Sequence, residues 1–206
     1  MERREALKNL GFGSMALFTS TALFGALQSC SAPDEVSWLP LAMTQRQAAQ
    51  LQKFCEAVIP KTDTPGAIQA GVPRHLDEAM SKLYKDKDVD YMKRGMAVFV
   101  RNFESDHGSY DGAETAEVTA VINQYFKDWE ADEAKMNSFR QGYGKEGEKS
   151  DEWLEVFFVT NTVDSTFWSY FTSQLVGETV MRYDQIPGRY DGCIPYTPGE
   201  RAWSSV

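Results

Sequence analysis

The sequence predicts an all-α fold, a small bundle of about five to six helices followed by an irregular C-terminal arm. Three observations support it. Apolar residues recur at three- and four-residue intervals through most of the segment 44–183. No stretch keeps the two-residue alternation of a half-buried strand for long enough to require a sheet. Proline and glycine then dominate the segment 186–199, which is typical of an extended, turn-rich arm.

The first helices have clear start signals. Thr44 and Gln47 form a capping-box pattern, and the helix that they begin is expected to end before Pro60. Turn-forming residues fill the segment 59–67. Val72 and Pro73 open a second helix, because proline is tolerated in the first turn. Its apolar side chains are expected to face inward: Leu76, Ala79, Met80 and Leu83.

Three further helices follow from periodicity and capping. One runs from about Val89 to Phe103, and another begins at about Thr115. Ser150 caps a helix that is apolar around most of its circumference, so this helix is expected to lie at the centre of the bundle or beneath a partner. Trp153 and Trp168 are expected to close the core. Residues 177–181 add a short turn.

The N-terminus resembles an export signal. The pair Arg3 and Arg4 precedes a weakly apolar stretch that ends at Cys30 in a lipobox-like sequence. A twin-arginine pair is the address of the Tat translocase, which exports folded proteins. We therefore predict a Tat lipoprotein signal over residues 1–29, a lipid anchor and tether over 30–43, and a helical domain over 44–206. The alternative is an ordinary secretory signal with two chance arginines.

The charge of the chain limits its partners. A mature chain that begins at Cys30 holds 177 of the 206 residues and carries a formal charge of about −10. Such an acidic domain is unsuited to nucleic acid and to charge-driven adhesion to anionic lipid. Membrane attachment is instead expected through acyl chains on Cys30, which places the domain on the periplasmic side or elsewhere in the cell envelope.

The two remaining cysteines leave two interpretations open. Cys55 lies on the apolar stripe of the first helix, where a thiol can act as a small core hydrophobe. Cys193 lies in the arm, and in an oxidising compartment the two could form a disulfide.

The residues offer little support for catalysis by this chain. His75 and His107 have no metal-ligand spacing around them, and the run Asp86–Asp90 lacks the glycine and glutamate of a calcium loop. No haem-attachment, iron–sulfur, dinucleotide-binding or serine-nucleophile motif occurs. Aromatic residues are abundant, and those between Tyr183 and Trp203 suit either a protein interface or the closing of a small core.

Two long motifs carry a resemblance to a known family. They are the segment Ile59–Pro73, which contains Asp63-Thr64-Pro65-Gly66-Ala67 and Gly71-Val72-Pro73, and the segment Pro187–Pro195, which contains Tyr190-Asp191-Gly192-Cys193. The chain resembles the gluconate 2-dehydrogenase subunit 3 family over most of its mature length. A twin-arginine leader is common in that family.

The resemblance implies a non-catalytic small subunit of a membrane-associated sugar or sugar-acid dehydrogenase. The implied partner is a large flavoprotein of the glucose–methanol–choline (GMC) type, which holds FAD, and such complexes often include a third subunit, a cytochrome with haem c. This chain would hold no cofactor, and would escort the flavoprotein through Tat export, stabilise it and anchor it. We expect the partner interface to include the residues that carry the motifs: Asp63, Thr64, Pro65, Gly66, Gly71, Pro73, Tyr190, Asp191, Gly192, Cys193, Pro195 and Tyr196. The same prolines and glycines could instead shape loops that pack on the helices.

Two other functions stay open at this stage. A self-sufficient surface lipoprotein could bind saccharides by stacking aromatic side chains on pyranose rings. An enzyme in its own right could act through Asp63, Asp191 and His75. The first predicts saccharide binding by the isolated chain, and the second predicts turnover by it.

Overall fold

The computed structural model describes residues 36–143, 145, 147–183, 188, 193, 195 and 197–203. Within these residues the fold is all-α, as predicted, and the regular elements are seven helices. The helices are α1 (Gln45–Val58), α2 (Val72–Lys82), α3 (Asp86–His107), α4 (Thr115–Ala131), α5 (Glu133–Gly142), α6 (Asp151–Phe171) and α7 (Gln174–Thr179). The predicted leader residues Arg3, Arg4 and Cys30 lie outside the described residues, as do Tyr190, Asp191, Gly192 and Tyr196 of the arm.

The predicted helix starts are confirmed at atomic detail. The Thr44 hydroxyl accepts the backbone N–H of Gln47, and the Gln47 side chain accepts the N–H of Thr44 at 3.0 Å. The Ser150 hydroxyl accepts the N–H of Trp153 at the start of α6. Each cap satisfies donors that the first helical turn leaves without partners.

The core forms where α1, α3 and α6 meet. The Phe54 ring of α1 contacts Phe99 of α3 at 5.3 Å and Phe158 of α6 at 5.0 Å between ring centroids, in both cases edge to face. All three rings are almost completely buried. Edge-to-face contacts of this kind add to the free energy that apolar burial alone supplies.

The most extensive helix pair is α3 with α6, and it depends on a glycine. A Cβ atom at Gly95 would collide with the backbone carbonyl of Leu154 and would lie 2.7 Å from the Cβ of Phe158. Gly95 is buried at this crossing, so the two helices approach at backbone distance. A side chain at this position would push them apart.

Residues that precede α1 are fixed to the helical domain by a buried carboxylate. Asp77 of α2 is completely buried and accepts the backbone N–H groups of Leu41 (2.6 Å), Ala42 (3.1 Å) and Met43 (3.0 Å). Val36 is also buried, and its N–H donates to the Gln45 side chain at 3.2 Å. Hydrogen bonds to a carboxylate are stronger than those between neutral groups, so the chain from Val36 onward is held on the domain.

The helix that begins at Thr115 ends at Ala131, where Asp132 leaves the helical conformation and its side chain caps α5 by accepting the N–H of Lys135. Two sequence expectations were wrong. Leu83 caps the C-terminal end of α2 and is 79% exposed instead of facing inward. Trp168 is 65% exposed and does not close the core.

Both Cys55 and Cys193 are free thiols, with Cys55 buried and Cys193 exposed, so Cys55 is a core residue and not half of a disulfide. Residues 197–203 return to the end of α7, where Arg182 donates its N–H to Ala202 at 2.8 Å and lies over the Trp203 ring at 4.2 Å. In the part of the chain that the structure describes, no helix is both long and apolar enough to cross a bilayer.

The Gly95→Ala substitution is expected to lower the free energy of unfolding by about 1–3 kcal/mol, because the added methyl group overpacks the α3–α6 crossing. The loss should appear even though alanine favours an isolated helix over glycine by up to about 1 kcal/mol. Urea unfolding followed by circular dichroism measures it. Gly112→Ala is the matched control, since the nearest atom to a Cβ there is 3.8 Å away. Equal stability of the two variants would contradict the close approach.

Candidate partner interface

The Ile59–Pro73 segment is a tightly built loop between α1 and α2. The N–H of Ala67 donates to the carbonyl of Ile59 at 2.9 Å, which closes the loop on itself. The Glu56 carboxylate accepts the N–H groups of Lys61 and Ile68, each at 3.0 Å. A Cβ atom at Gly66 would lie 2.7 Å from the backbone nitrogen of Lys61, so this position requires glycine.

The predicted interface residues of this loop divide into two groups. Gly66 and Pro73 are buried, and Pro65 is half-buried, so these residues shape the loop. Gly71 is exposed and has a φ of +73°, a left-handed conformation that favours glycine, and the helix α2 starts directly after it. Asp63 and Thr64 are exposed at the tip, so of the predicted residues in this loop these two present side chains to a partner.

The loop is held against the C-terminal half of α6. The Tyr170 hydroxyl donates to the carbonyl of Pro65 at 2.7 Å, although the tyrosine ring itself is buried. At the other end of the loop, the His75 ring of α2 lies 6.1 Å from the ring of Trp168. The loop and the start of α2 therefore both lie next to the C-terminal half of α6.

That stretch of α6 presents uncovered aromatic side chains, which we call the aromatic face: Phe167 (44% exposed), Trp168 (65%) and Phe171 (46%). Residues at positions i, i+1 and i+4 of a helix lie on one side of it. The opposite side carries Thr162, Thr166 and Tyr170, all buried. In its C-terminal half the helix thus has one side that is buried and another, lined by aromatic side chains, that is open to solvent.

The N-terminal half of α6 differs because other aromatic residues cover it. Trp153 stacks on Phe157 at 5.2 Å, and Tyr143 stacks on Phe157 at 6.0 Å between centroids. Phe139 of α5 adds a further contact with Trp153 at 5.3 Å. Trp153 is therefore packed against the core, as the sequence predicted, whereas Trp168 on the next turns of the same helix is not.

The residues considered for catalysis do not form a site among those described. Asp63 is exposed at the loop tip and His75 is exposed beside Trp168, with no hydrogen bond or ion pair between them. Asp191 lies outside the described residues. Within the ranges that the structure describes, no three His, Cys, Asp or Glu side chains are grouped as a metal ion would need. Of the predicted interface residues in the arm, Cys193 and Pro195 are described and both are exposed.

A cleft of about 180 Å³ between α4 and α6 was not anticipated from the sequence. Its lining includes Tyr125, Trp129, Glu152 and Glu155. Burial, with the carboxylates of Glu152 and Asp151 nearby, raises the pKa of Glu155 above its usual 4.5, although Asn102 donates to it at 3.0 Å. Burial, with both cleft glutamates nearby, also raises the pKa of Tyr125. The two glutamates of the cleft lie on α6 and its aromatic rings lie on α4, so no local sequence pattern could have predicted that they meet.

Comparison with known proteins identifies the family. The family model described as gluconate 2-dehydrogenase subunit 3 matches residues 45–188, which include all seven helices. No curated protein and no solved structure matches the chain. The chain belongs to the gluconate 2-dehydrogenase subunit 3 family, as the two motifs indicated.

The Glu155→Gln substitution is expected to raise the free energy of unfolding at neutral pH. The folded-state pKa of Glu155 lies above 4.5, so the folded protein holds this proton more readily than the unfolded chain. The contribution of the wild-type glutamate to stability is complete below pH 4.5 and is lost as the pH rises through the folded-state pKa. The difference in the free energy of unfolding between the Glu155→Gln variant and the wild type should therefore increase from acid to neutral pH. A series of urea unfolding titrations at different pH values measures it.

Glu130→Gln is the matched control, because Glu130 is an exposed carboxylate on α4 that does not contribute to the raised pKa of Glu155. It should show no comparable pH-dependent gain. A gain at Glu155→Gln that is equal at acid and neutral pH would contradict the effect of burial on that carboxylate.

Proposed function

We propose that this chain is the non-catalytic accessory subunit of an FAD-dependent sugar or sugar-acid dehydrogenase of the GMC type, which it escorts through Tat export, stabilises and anchors. Membership of a family of dehydrogenase subunits supports a role within a complex. The observation that carries the proposal is the aromatic face, which the described part of the chain leaves uncovered, with Trp168 beside His75 just after a family motif.

The chemistry of the aromatic face suits a protein partner. Tryptophan and phenylalanine bury large apolar areas at interfaces, and tryptophan is among the residues that contribute most to binding. Phe167, Trp168 and Phe171 lie on a long helix whose other side is fixed in the core. A partner would therefore meet a preorganised surface and would not have to order it first.

The exposed tip of the loop, which is bonded to the same half of α6 through Tyr170, presents polar groups. Thr62 and Thr64 are paired through their hydroxyls at 3.2 Å, and the N–H of Thr62 donates to the carbonyl of Thr64 at 3.1 Å. Asp63 lies between them and is exposed. A polar rim next to an apolar centre is the usual anatomy of a specific interface.

The cofactors are assigned to other subunits under this proposal. FAD would lie in the large flavoprotein and haem c in a cytochrome subunit, while this chain supplies the contact surface and the export address. A flavoprotein that must bind its cofactor before export requires the Tat route, which carries folded proteins. Lipid on Cys30 would then hold the complex at the periplasmic side of a membrane or elsewhere in the cell envelope.

One observation favours a second candidate function. Trp168 is exposed with His75 at its edge, and an exposed indole ring can stack on a pyranose ring. A self-sufficient saccharide-binding lipoprotein would use the same residue without any partner. Saccharide binding by the isolated chain, lost on Trp168→Ala, would support it.

The Trp168→Ala substitution is expected to weaken binding of the flavoprotein about 30-fold, the equivalent of the roughly 2 kcal/mol that an interface hot spot contributes. The measurement is co-purification of the tagged chain from solubilised native membranes, with flavin absorbance and sugar-dependent dye reduction assayed on the eluate. Tyr143→Ala is the matched control, since Tyr143 is an aromatic residue of similar exposure near the other half of α6. Equal recovery of flavoprotein with both variants would place the interface elsewhere.

Replacement of Arg3 and Arg4 by lysine is expected to retain both this chain and the flavoprotein in the cytoplasm. This chain would have lost its Tat signal, and the flavoprotein would have no other signal for export. Cell fractionation followed by flavin-dependent dye reduction in each fraction measures this. Replacement of Lys8 by arginine, elsewhere in the leader, is the control and should leave export intact. Normal export of the flavoprotein beside a retained Arg3→Lys, Arg4→Lys chain would contradict the escort role.

A further inference from the structure

The path by which the chain enters the helical domain determines which face lies nearest the predicted anchor. Val36 is buried and bonded to Gln45, and Asp77 binds three successive N–H groups from Leu41 to Met43. The segment from Val36 to Met43 therefore has a fixed position on the surface of α2. A lipid anchor that precedes Val36 would therefore be connected to the domain through this fixed segment.

The reach of that anchor is short. Six residue steps separate Cys30 from Val36. A fully extended chain spans at most about 3.3–3.6 Å per residue, so the distance from a lipidated Cys30 to Val36 is at most about 22 Å. With acyl chains inserted in a bilayer, the face around Val36–Met43 would be confined to the membrane surface.

That face carries the most exposed aliphatic side chains of the described residues. We call the group Leu39 (81% exposed), Leu41 (53%), Leu83 (79%) and Tyr84 (37%) the leucine patch. Leu41 and Tyr84 line the same open groove, together with Met80 and Val89. The segment before α1 and the turn after α2 thus meet at Leu41 and Tyr84, and Leu39 and Leu83 lie within two residues of them in the chain.

The composition of the patch matches a bilayer interface more closely than a protein. Leucines at loop tips can enter the boundary between headgroups and acyl chains, and tyrosine is enriched at that depth. Lys85 and Lys87 flank the patch and can extend their ammonium groups to lipid phosphates, whereas Lys82 is paired with Glu78 at 3.2 Å. Asp86 and Asp90 also border the groove, so apolar insertion and not net charge would supply the attraction.

We infer that the leucine patch is a membrane-contacting face, which inserts Leu39 and Leu83 into the bilayer interface and fixes the orientation of the anchored subunit. The inference rests on the proposed anchoring through Cys30. The aromatic face belongs to different residues, on α6, so the two surfaces would serve two different partners, a lipid surface and a flavoprotein.

The test uses the chain purified from native membranes and reconstituted into vesicles of phosphatidylethanolamine and phosphatidylglycerol. In a Cys193→Ser background, Leu83→Cys carries an environment-sensitive fluorophore, and Lys127→Cys is the matched control. Lys127 is exposed on α4, which packs against α1 and α5, whereas α2 packs against α1 and α6. Cys55 stays unlabelled, because it is fully buried and burial raises its pKa to about 12.

The expected result is a blue shift at position 83, together with a loss of its emission when brominated lipids replace the ordinary ones. Position 127 should show neither change. Emission at position 83 that is insensitive to brominated lipid, or equal quenching at both positions, would overturn the membrane-contacting face.

Failure of the anchor gives a different signal. The Cys193→Ser chain without an introduced cysteine should take up no label, because a lipidated Cys30 has no free thiol. Label on Cys30 would overturn the anchoring proposal. If the control chain takes up no label and the fluorophore at position 83 is not quenched, the membrane-contacting face alone is overturned and the anchoring proposal stands.

Discussion

The close approach of α3 and α6 at Gly95 is the constraint on which the rest of the structure depends. Contact at backbone distance brings Phe99 and Phe158 within reach of Phe54, and these three rings join α1 to the helix pair. Few large side chains close the core of a domain this small, so displacement of one helix by the width of a methyl group would disturb the packing of the whole core. Both proposed surfaces are displayed on the elements that this crossing positions.

The position of α6 explains why one helix can serve both stability and recognition. Its buried side is committed to α3 and α1, while Tyr170 reaches out to hold the Ile59–Pro73 loop through the Pro65 carbonyl. The aromatic residues of α5 and Tyr143 cover the first half of its other side. The second half extends past them, which leaves Phe167, Trp168 and Phe171 in solvent on a rigid support. Rigid support reduces the entropy that a partner's binding must offset.

The two proposed surfaces have different physical characters. The aromatic face lies on a regular helix and has a polar loop beside it, which resembles a protein interface with its centre and rim. The leucine patch is made of aliphatic side chains at loop tips, close to where the chain leads back toward Cys30. An accessory subunit that joins an enzyme to a membrane needs both kinds of contact, and the fold keeps them on separate elements.

The sequence by itself determined the helix starts at Thr44, Val72 and Ser150, the buried stripe of α3 and the family, because caps, period and motif are local patterns. Only the tertiary structure decided that Trp153 is packed and Trp168 exposed, because both have the same helical spacing and differ only in whether α5 and Tyr143 reach them. The Asp77 hydrogen bonds and the Glu155–Tyr125 cleft likewise join residues far apart in the chain. A local pattern states which side chains are apolar, whereas the packing of distant elements decides which of them are covered.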